Sequence, residues 1–380
     1  MYLVLHCAEA TETPTTFKVA AQSPEWWSAM DREVDELLHV DTWHLVYESE
    51  ADNIITGKWV YKIKYKNGQI ERHKARWCAR GFTQKYGIDY DETFSPVARN
   101  SSVKAALGVA NQRNHHILFG DISNAFVQAK VHDKPIYMRQ PHGYEQTGPS
   151  GEKLVCQLNK YIYGLLQASR EFNQHLARIL VNDLGFSQSK TDTCIFTHHK
   201  FKIHLVIYVD DILATGPPRP TLEQMFTRLG NFVPIKYEDP SQLLGINIQY
   251  DKQNGILTMD QTFQIETLAT EYALDKTSAP STPMEQNWHP DLHPDNIKLT
   301  EKFPVRAALG SLGHISNSTR PDITQATARL QREMHKPTFS VVLAIKRLIA
   351  YLYSTKDQQI VFTRRKYTHA TITDIFKTYA

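Results

Sequence analysis

Two adjacent carboxylates interrupt an apolar stretch near the middle of the chain. Asp210 and Asp211 lie within LVIYVDDILATG, residues 205–216, and the five residues before them are uncharged. Because like charges repel and each carboxylate resists leaving water, such a pair is expected on an exposed turn or beside a cation. The flanking residues favour a strand, a tight turn and a second strand, with both acids at the tip. A solvated turn without chemistry is the simpler interpretation of the dipeptide alone.

A third carboxylate is available at Asp121, where the stretch HHILFGD ends. Three acids at strand ends could gather one or two Mg²⁺ ions, because Mg²⁺ prefers oxygen ligands and is commonly held by a few carboxylates and substrate phosphates. Two such ions can activate an attacking hydroxyl and stabilise the leaving oxygen of an in-line phosphoryl transfer. The sequence therefore predicts a metal-dependent phosphoryl-transfer site.

The segment from Lys58 to Lys85 is basic, with nine Lys or Arg residues against the single acid Glu71. Its aromatic and basic residues alternate with a period of two, which predicts a strand, and Asn67-Gly68 is a strong signal for a hairpin turn. With a two-residue loop, the predicted cross-strand partners are Ile63 with Arg72, Tyr61 with Lys74, and Trp59 with Arg76. One face would then mix aromatics with cations, as in nucleic-acid binding surfaces. A merely solvated charged face is the alternative.

Composition sets the broad class of the protein. The 380 residues are 41% hydrophobic and 22% charged with a net charge of +3, so a globular protein of more than one subdomain is expected and bulk charge says little about partners. Four scattered cysteines argue against a zinc site or a disulfide framework. No apolar run approaches the ~18 residues of a membrane span, and the N-terminus does not match a signal peptide. We therefore expect an intracellular protein with no membrane partner.

The coarse pattern mixes helices and strands. A helix is predicted to begin after Ser23-Pro24, another to cover 101–113, and a strand to cover 116–122. A helix over 170–184 and a strand pair over 191–215 follow. The remainder is predicted to be mainly helical, over 260–273, 303–318, 321–335 and 338–354, after a strand at LLGINIQY.

Several ordered motifs resemble one known family. Tyr208-Val209-Asp210-Asp211 resembles the signature of reverse transcriptases, and residues 74–99 closely resemble a segment of the polymerases of copia-type LTR retrotransposons. DISNAF (121–126), YGLLQASR (163–170), LGINI (244–248) and STRPDI (318–323) are similar to the same family. The likeness runs from about residue 23 to residue 357. The chain is thus identified as resembling the polymerase module of a Pol polyprotein.

The resemblance implies an α+β fold of the right-hand polymerase type, with fingers, a palm built on an antiparallel sheet, and a helical thumb and connection. The expected divisions are a loose tail over 1–20, interleaved fingers and palm over 21–250, and thumb and connection over 251–357. A C-terminal tail is expected over 358–380, without the RNase H domain into which the family would lead there. The implied activity is RNA-directed DNA synthesis, in which a primer 3′-hydroxyl attacks a dNTP.

The resemblance also implies residue roles. Asp121, Asp210 and Asp211 match the catalytic, metal-binding triad, which would hold two Mg²⁺ ions, with Mn²⁺ as a substitute. Lys74, Arg76, Phe126 and Gln167 match positions that bind the incoming nucleotide, Phe126 being the aromatic gate under its sugar. Tyr208, Leu244 and Gly245 match positions that contact the primer. The implied partners are an RNA or DNA template with its primer, dNTPs and other segments of the polyprotein.

Two departures from the family pattern leave alternatives open. Leu166 stands where the family usually has Lys, and Ser169 where it has Pro. The loss of a cation near the nucleotide favours a second reading, a catalytically impaired or repurposed retrotransposon remnant that only binds nucleic acid. A metal nuclease built on the same acids is a third reading, against which the missing fourth carboxylate argues.

Overall fold

A computed structural model describes residues 13–66, 69–132, 134–275, 279–291 and 303–365. The predicted Asn67-Gly68 turn, residues 1–12 of the expected tail and residues 366–380 lie outside these ranges. The chain divides into two compact units. The first unit comprises Met1–Val97, Ile122–Gly185 and Leu229–Pro234; the second comprises Ala98–Asp121, Phe186–Arg228 and Ile235–Ala380.

Helices and strands are mixed along the described chain, which confirms the predicted α+β class. The α-helices are α1 (Phe17–Ala20), α2 (Pro24–His39), α3 (Asn100–Gln112), α4 (Ala168–Arg178), α5 (Arg219–Leu229), α6 (Thr262–Glu271), α7 (Val305–Ser318), α8 (Thr324–Arg332) and α9 (Phe339–Ser354). The strands are β1 (Trp43–Tyr47), β2 (Ile54–Ile55), β3 (Gly57–Lys66), β4 (Gln69–Ala79), β5 (His116–Ile122), β6 (Tyr137–Met138), β7 (Leu154–Leu158), β8 (Ser187–Gln188), β9 (Ile195–His198), β10 (Ile203–Tyr208), β11 (Asp211–Gly216), β12 (Ile235–Glu238), β13 (Gln242–Leu243), β14 (Ile246–Asp251), β15 (Ile256–Asp260) and β16 (Ile360–Thr363).

In the first unit, α2 begins as the sequence predicts. The Ser23 hydroxyl accepts a hydrogen bond from the Trp26 backbone N–H at 3.5 Å, and Pro24 occupies the first helical position. The buried side of α2 packs on the β3–β4 hairpin, where the Trp26 ring meets the Tyr61 ring edge-on at 5.2 Å. A sheet with strand order β1-β7-β6-β2 lies in the same unit.

The β3–β4 register differs from the prediction. Lys66 pairs with Gln69 and Tyr65 with Ile70, but Lys64 then pairs with Arg72, so Glu71 is an extra residue. This bulge shifts every later pair by one position, and a shift of one reverses the faces. The aromatic residues Trp59, Tyr61 and Trp77 therefore lie on the buried face, and the cations lie on the other. The prediction that one face mixes the two was wrong, and the cross-strand partners are Val60 with Arg76, Lys62 with Lys74, and Ile63 with His73.

The second unit contains a six-stranded sheet of order β12-β5-β11-β10-β9-β8 and a four-stranded sheet of order β13-β14-β15-β16. One buried core lies between residues of α3, β5, β10, β11, β14 and β15. A second core joins α6 to α7, α8 and α9. The Arg320 guanidinium, 1% exposed, joins these helices by donating to Asp322 and to the Thr355 carbonyl.

Parts of the expected tails are ordered. Phe17–Ala20 form a helix and Ala20 is fully buried. Ile360–Thr363 form β16, which pairs antiparallel with β15, and the Phe362 carbonyl accepts a hydrogen bond from the Asn111 side chain at 3.0 Å. Within the described ranges, no helix has the length and apolar character needed to cross a bilayer.

Candidate functional site

The Asp210-Asp211 pair lies at the tip of the β10–β11 hairpin. Tyr208 pairs with Asp211, which leaves Val209 and Asp210 as a two-residue loop. Val209 has φ of 57°, a left-handed conformation that is costly for a β-branched residue. The buried, apolar strands on both sides hold this turn, and the predicted strand–turn–strand arrangement is observed.

Asp121 lies directly opposite Asp211 on the neighbouring strand. β5 and β11 are antiparallel, and their register pairs Asp211 with Asp121 and Ile212 with Gly120. Gly120 is required here because a Cβ at this position would lie 2.5 Å from the Phe226 ring of α5. Asp121 is exposed, whereas Asp210 and Asp211 are half-buried. The pairing of β5 with β11 thus brings together Asp121 and Asp211, which are ninety residues apart in the sequence.

The three carboxylates interact electrostatically. The pKa of Asp211 is raised to about 6, first by burial and then by the negative charges of Asp210 and Asp121. The three charges therefore lie close enough to repel one another, at one end of the adjacent strands β5, β11 and β10.

The donor set suits a hard divalent cation, which takes carboxylate oxygens and is favoured by accumulated negative charge. Among the described residues, no group of three or more His, Cys, Asp or Glu side chains is arranged as a ready-made metal site. The chemistry of the donors fits the ion, and the mutual repulsion of Asp121, Asp210 and Asp211 is what a cation would relieve.

The predicted primer-contact residues lie in the same unit. Leu244 and Gly245 form the turn between β13 and β14, with φ of 54° and 75°. The positive φ favours glycine at position 245, and a Cβ there would lie 1.9 Å from the Gln264 side-chain nitrogen, which would have to move. The His314 side chain lies 3.2 Å from the Leu244 carbonyl. Tyr208 and Leu244 both pack against one buried core.

Arg76 and Phe126 belong to the first unit and both contact Tyr163, a residue that the sequence pattern did not single out. The Arg76 guanidinium carbon lies 4.4 Å from the centre of the Tyr163 ring, and its Nη2 lies 3.5 Å from the Tyr163 hydroxyl. The Phe126 ring meets the same ring edge-on at 4.7 Å. The signal available in the sequence was its position, immediately before Gly164 in YGLLQASR.

Lys74 lies on the same strand face as Arg76. Its pKa is lowered by burial and by the charges of Arg76 and Arg72, with Glu33 acting in the opposite direction. Glu33 on α2 accepts a hydrogen bond from the Trp77 backbone N–H at 3.3 Å, and burial raises its pKa to about 7. Lys74 and Arg76 therefore interact electrostatically with Glu33, a carboxyl group whose pKa is about 7.

A family model described as reverse transcriptase (RNA-dependent DNA polymerase) matches residues 40–286. The chain belongs to this family. It is 35% identical over 358 residues to the retrovirus-related Pol polyprotein from transposon RE2 of Arabidopsis thaliana, covering 92% of this chain and 24% of the relative. It is 29% identical over 373 residues to the corresponding polyprotein from transposon TNT 1-94 of Nicotiana tabacum, covering 92% and 27%. The predicted kinship with copia-type reverse transcriptases is confirmed.

This reverse transcriptase chain spans about a quarter of the length of those two relatives. A solved structure of the foamy viral protease-reverse transcriptase dRH in complex with double-stranded DNA aligns with a TM-score of 0.42 and 11% identity. That alignment covers 87% of this chain and 48% of the solved one.

Gln167 in the reverse transcriptase chain is buried, with 5% of its surface exposed. Its side-chain amide donates to the Asp89 carbonyl at 2.9 Å, and its oxygen accepts from Gln84 at 3.0 Å. Both ends of this side chain are therefore engaged within the protein. Leu166, in contrast, is 41% exposed, so an apolar side chain faces solvent where the family pattern has Lys.

Proposed function

We propose that this chain catalyses RNA-directed DNA synthesis. The observation that carries the proposal is the β5–β11 register, which brings Asp121 opposite Asp211 and beside Asp210. Three neighbouring carboxylates at the ends of these strands destabilise the folded state, which is not expected of a hairpin with a purely structural role. The cost is understandable if the site binds cations during phosphoryl transfer.

In the proposed reaction, Asp121 and Asp210 would hold two divalent ions, with Asp211 as the weaker ligand. Mg²⁺ bound there, or Mn²⁺ in its place, would supply the charge that activates the primer hydroxyl and stabilises the leaving oxygen. The primer 3′-oxygen forms a bond to the α-phosphorus of the dNTP and loses its proton to solvent. The bond from that phosphorus to the bridging oxygen breaks, and pyrophosphate leaves with the electron pair.

We assign the other side chains to substrate binding. Lys74 and Arg76 bind the triphosphate, and Arg76 suits this task because its planar guanidinium can make paired hydrogen bonds to phosphate. Phe126 lies under the incoming sugar and excludes a 2′-hydroxyl. Gln167 shapes the nucleotide site through its bonds to Gln84 and Asp89 rather than as a free contact.

The primer and the wider partners belong to the same proposal. Tyr208, Leu244 and Gly245 contact the primer strand, and the template is RNA or DNA. Because the relatives are named as Pol polyproteins, other segments of such a polyprotein are proposed partners. We place the activity inside the cell, where thiols such as the buried Cys156 and Cys194 stay reduced.

Primer extension on an RNA template, with dNTPs and Mg²⁺, tests the proposal directly. The wild-type chain should extend the primer, and Asp210→Asn should reduce extension by at least about 100-fold through loss of transition-state stabilisation. Asp52→Asn, an exposed aspartate of the first unit, is the matched control and should extend normally. A wild-type preparation that is folded and binds primer–template but adds no nucleotide would refute the proposal.

A non-catalytic nucleic-acid-binding protein is the second candidate, favoured by the exposed Leu166 at a position where the family has a cation. This candidate predicts binding of primer–template without extension, and strong weakening by salt because phosphate contacts release counterions. Replacing Lys62 and Lys64 by Ala should lower the salt slope by about 2 on the basis of two phosphate contacts. Extension by the wild-type chain decides between the candidates, while cleavage without dNTPs would indicate a nuclease.

A further inference from the structure

Tyr163 is fixed to strand β4 by its own backbone. The Ala79 N–H donates to the Tyr163 carbonyl at 2.7 Å, so the loop that contains Tyr163 is attached three residues beyond Arg76 on the same strand. Gly164 follows with φ of 91°, and a Cβ there would lie 2.0 Å from the Ala79 carbonyl oxygen. The close approach that this glycine permits places the Tyr163 ring beneath Arg76.

The Tyr163 ring has contacts of two kinds at once. One is the Arg76 guanidinium at 4.4 Å from the ring centre, an arrangement in which the electron-rich face attracts the cation. The other is the edge-to-face contact with Phe126, at 4.7 Å and an interplanar angle of 69°. Arg76 and Phe126 therefore contact the same aromatic ring.

Phe126 also contacts Phe172 of α4, with ring centres 6.3 Å apart. Its own segment, Ala125–Gln128, is a single 3₁₀ turn that starts from Asn124 with φ of 50°. A short turn of this kind fixes a ring poorly by itself, because few backbone hydrogen bonds restrain it. The position of the Phe126 ring therefore depends on Tyr163 and Phe172.

We propose that Tyr163 is a positioning residue that sets the Arg76 guanidinium and the Phe126 ring in one arrangement. The inference rests on the proposed function, in which Arg76 binds the triphosphate and Phe126 excludes the 2′-hydroxyl. It adds that triphosphate affinity and sugar discrimination depend on the same side chain. A change that removes the aromatic face should therefore weaken both, whereas loss of the hydroxyl alone should weaken neither strongly.

The test compares Tyr163→Leu with Tyr163→Phe in primer extension with dCTP and with CTP, which differ only in the 2′-hydroxyl. Tyr163→Leu should raise the KM for dCTP about three- to tenfold and lower the dCTP/CTP preference by a similar factor, with kcat changed less than about threefold. Tyr163→Phe keeps the ring and should rescue both. The preference is a ratio within one preparation, so a smaller folded fraction does not alter it.

Tyr144→Leu is the matched control, because Tyr144 is a half-buried tyrosine of the same unit that packs on Trp27 and Trp59 instead. It should lower the Tm and leave the dCTP/CTP preference unchanged. If Tyr163→Leu leaves the KM and the preference within about twofold of wild type, or changes the KM without the preference, the inference is wrong.

A second readout separates this inference from the proposed function. A primer ending in a dideoxynucleotide cannot be extended, so retention of the protein on primer–template by the next dNTP measures nucleotide binding alone. If the wild-type protein forms this complex but never extends ordinary primers, the proposed polymerisation is refuted. The Tyr163 variants can still be compared by the concentrations of dCTP and CTP that are required to retain them on primer–template. Equal requirements in wild type and Tyr163→Leu would overturn the inference.

Discussion

Asp121 and Asp211 are cross-strand neighbours in the antiparallel pair of β5 and β11. Directly opposite residues of the same sign destabilise a sheet, and here a third carboxylate, Asp210, lies in the adjoining turn. The surrounding strands are buried and apolar, so packing elsewhere in the unit must offset this repulsion. Stability and the proposed activity therefore make opposite demands on the same three side chains.

This opposition predicts that Asp211→Asn stabilises the protein while it impairs primer extension. The amide is nearly the same size as the carboxylate but carries no charge. Burial of a charge at this position and repulsion by the two other carboxylates therefore no longer destabilise the folded state. The free energy of unfolding at pH 8, without divalent cations, should rise by about 1 kcal/mol. Denaturant titration measures this change.

Asp52→Asn provides the control for Asp211→Asn, since it removes an exposed carboxylate of the other unit. Its unfolding free energy should stay within about 0.5 kcal/mol of wild type. A destabilised Asp211→Asn would show that this carboxylate supports the hairpin through bonds to the protein, contrary to the repulsion described above.

Gly245→Ala should destabilise the turn between β13 and β14. The alanine must adopt φ near 75°, and its Cβ would lie 1.9 Å from the Gln264 side-chain nitrogen. The left-handed conformation and the steric conflict together should cost about 2 kcal/mol of unfolding free energy. Weaker primer–template binding should accompany this loss, because Leu244 and Gly245 are proposed to contact the primer.

A double-mutant cycle with Gln264→Ala separates the two causes. Removing the Gln264 side chain relieves the steric conflict but not the backbone strain, so Gly245→Ala should cost less in that background. Equal costs in both backgrounds would mean that the backbone conformation alone requires glycine.

The β3–β4 hairpin shows what the sequence could and could not predict. The period of two, the strands and the hairpin follow from the residues alone. Glu71 was not identifiable as a bulge, because a bulge depends on how β4 packs against α2 rather than on local propensity. One extra residue exchanges the faces: a regular two-residue hairpin predicts Trp59 beside Arg76, whereas Trp77 lies beside Trp59 and Val60 beside Arg76.

The candidate site was predictable to a similar degree. The turn at Asp210 and the strand ending near Asp121 follow from apolar runs that end in acids. That β5 pairs with β11, and with this register, depends on long-range packing that no local pattern contains. Tyr163 was missed for the same reason, because its contacts join residues 76 and 126, far apart in the chain.

Leu166→Lys should strengthen nucleotide binding if the missing cation limits it. Leu166 is 41% exposed, so a lysine there can reach solvent and a nearby phosphate without disturbing a core. One added charge interaction at a partly exposed site should lower the KM for dNTP about three- to fivefold. Steady-state extension kinetics measure the change. Leu38→Lys, which replaces a leucine of the same unit that is 50% exposed, is the control and should leave the KM unchanged.

Glu33 should make the stability of the protein depend on pH. Burial raises its pKa from 4.5 to about 7 and the charge of Glu36 adds to the shift, while the hydrogen bond from the Trp77 N–H and the charges of Arg76 and Lys74 oppose it. Between these two pKa values the folded state holds a proton that the unfolded state has lost, so stability falls as the pH rises from about 4.5 through about 7. The total loss should not exceed about 3 kcal/mol.

Glu33→Gln should remove that pH dependence while its side-chain oxygen still accepts the Trp77 N–H. The variant should be more stable than wild type at pH 8 and nearly equal to it at pH 4.5, as measured by unfolding free energies across this range. Glu271→Gln, an exposed glutamate of α6, should show no such difference. A difference in unfolding free energy between Glu33→Gln and wild type that is the same at every pH would mean that Glu33 acts through packing. Only a carboxyl whose pKa differs between the folded and unfolded states can change how the unfolding free energy depends on pH.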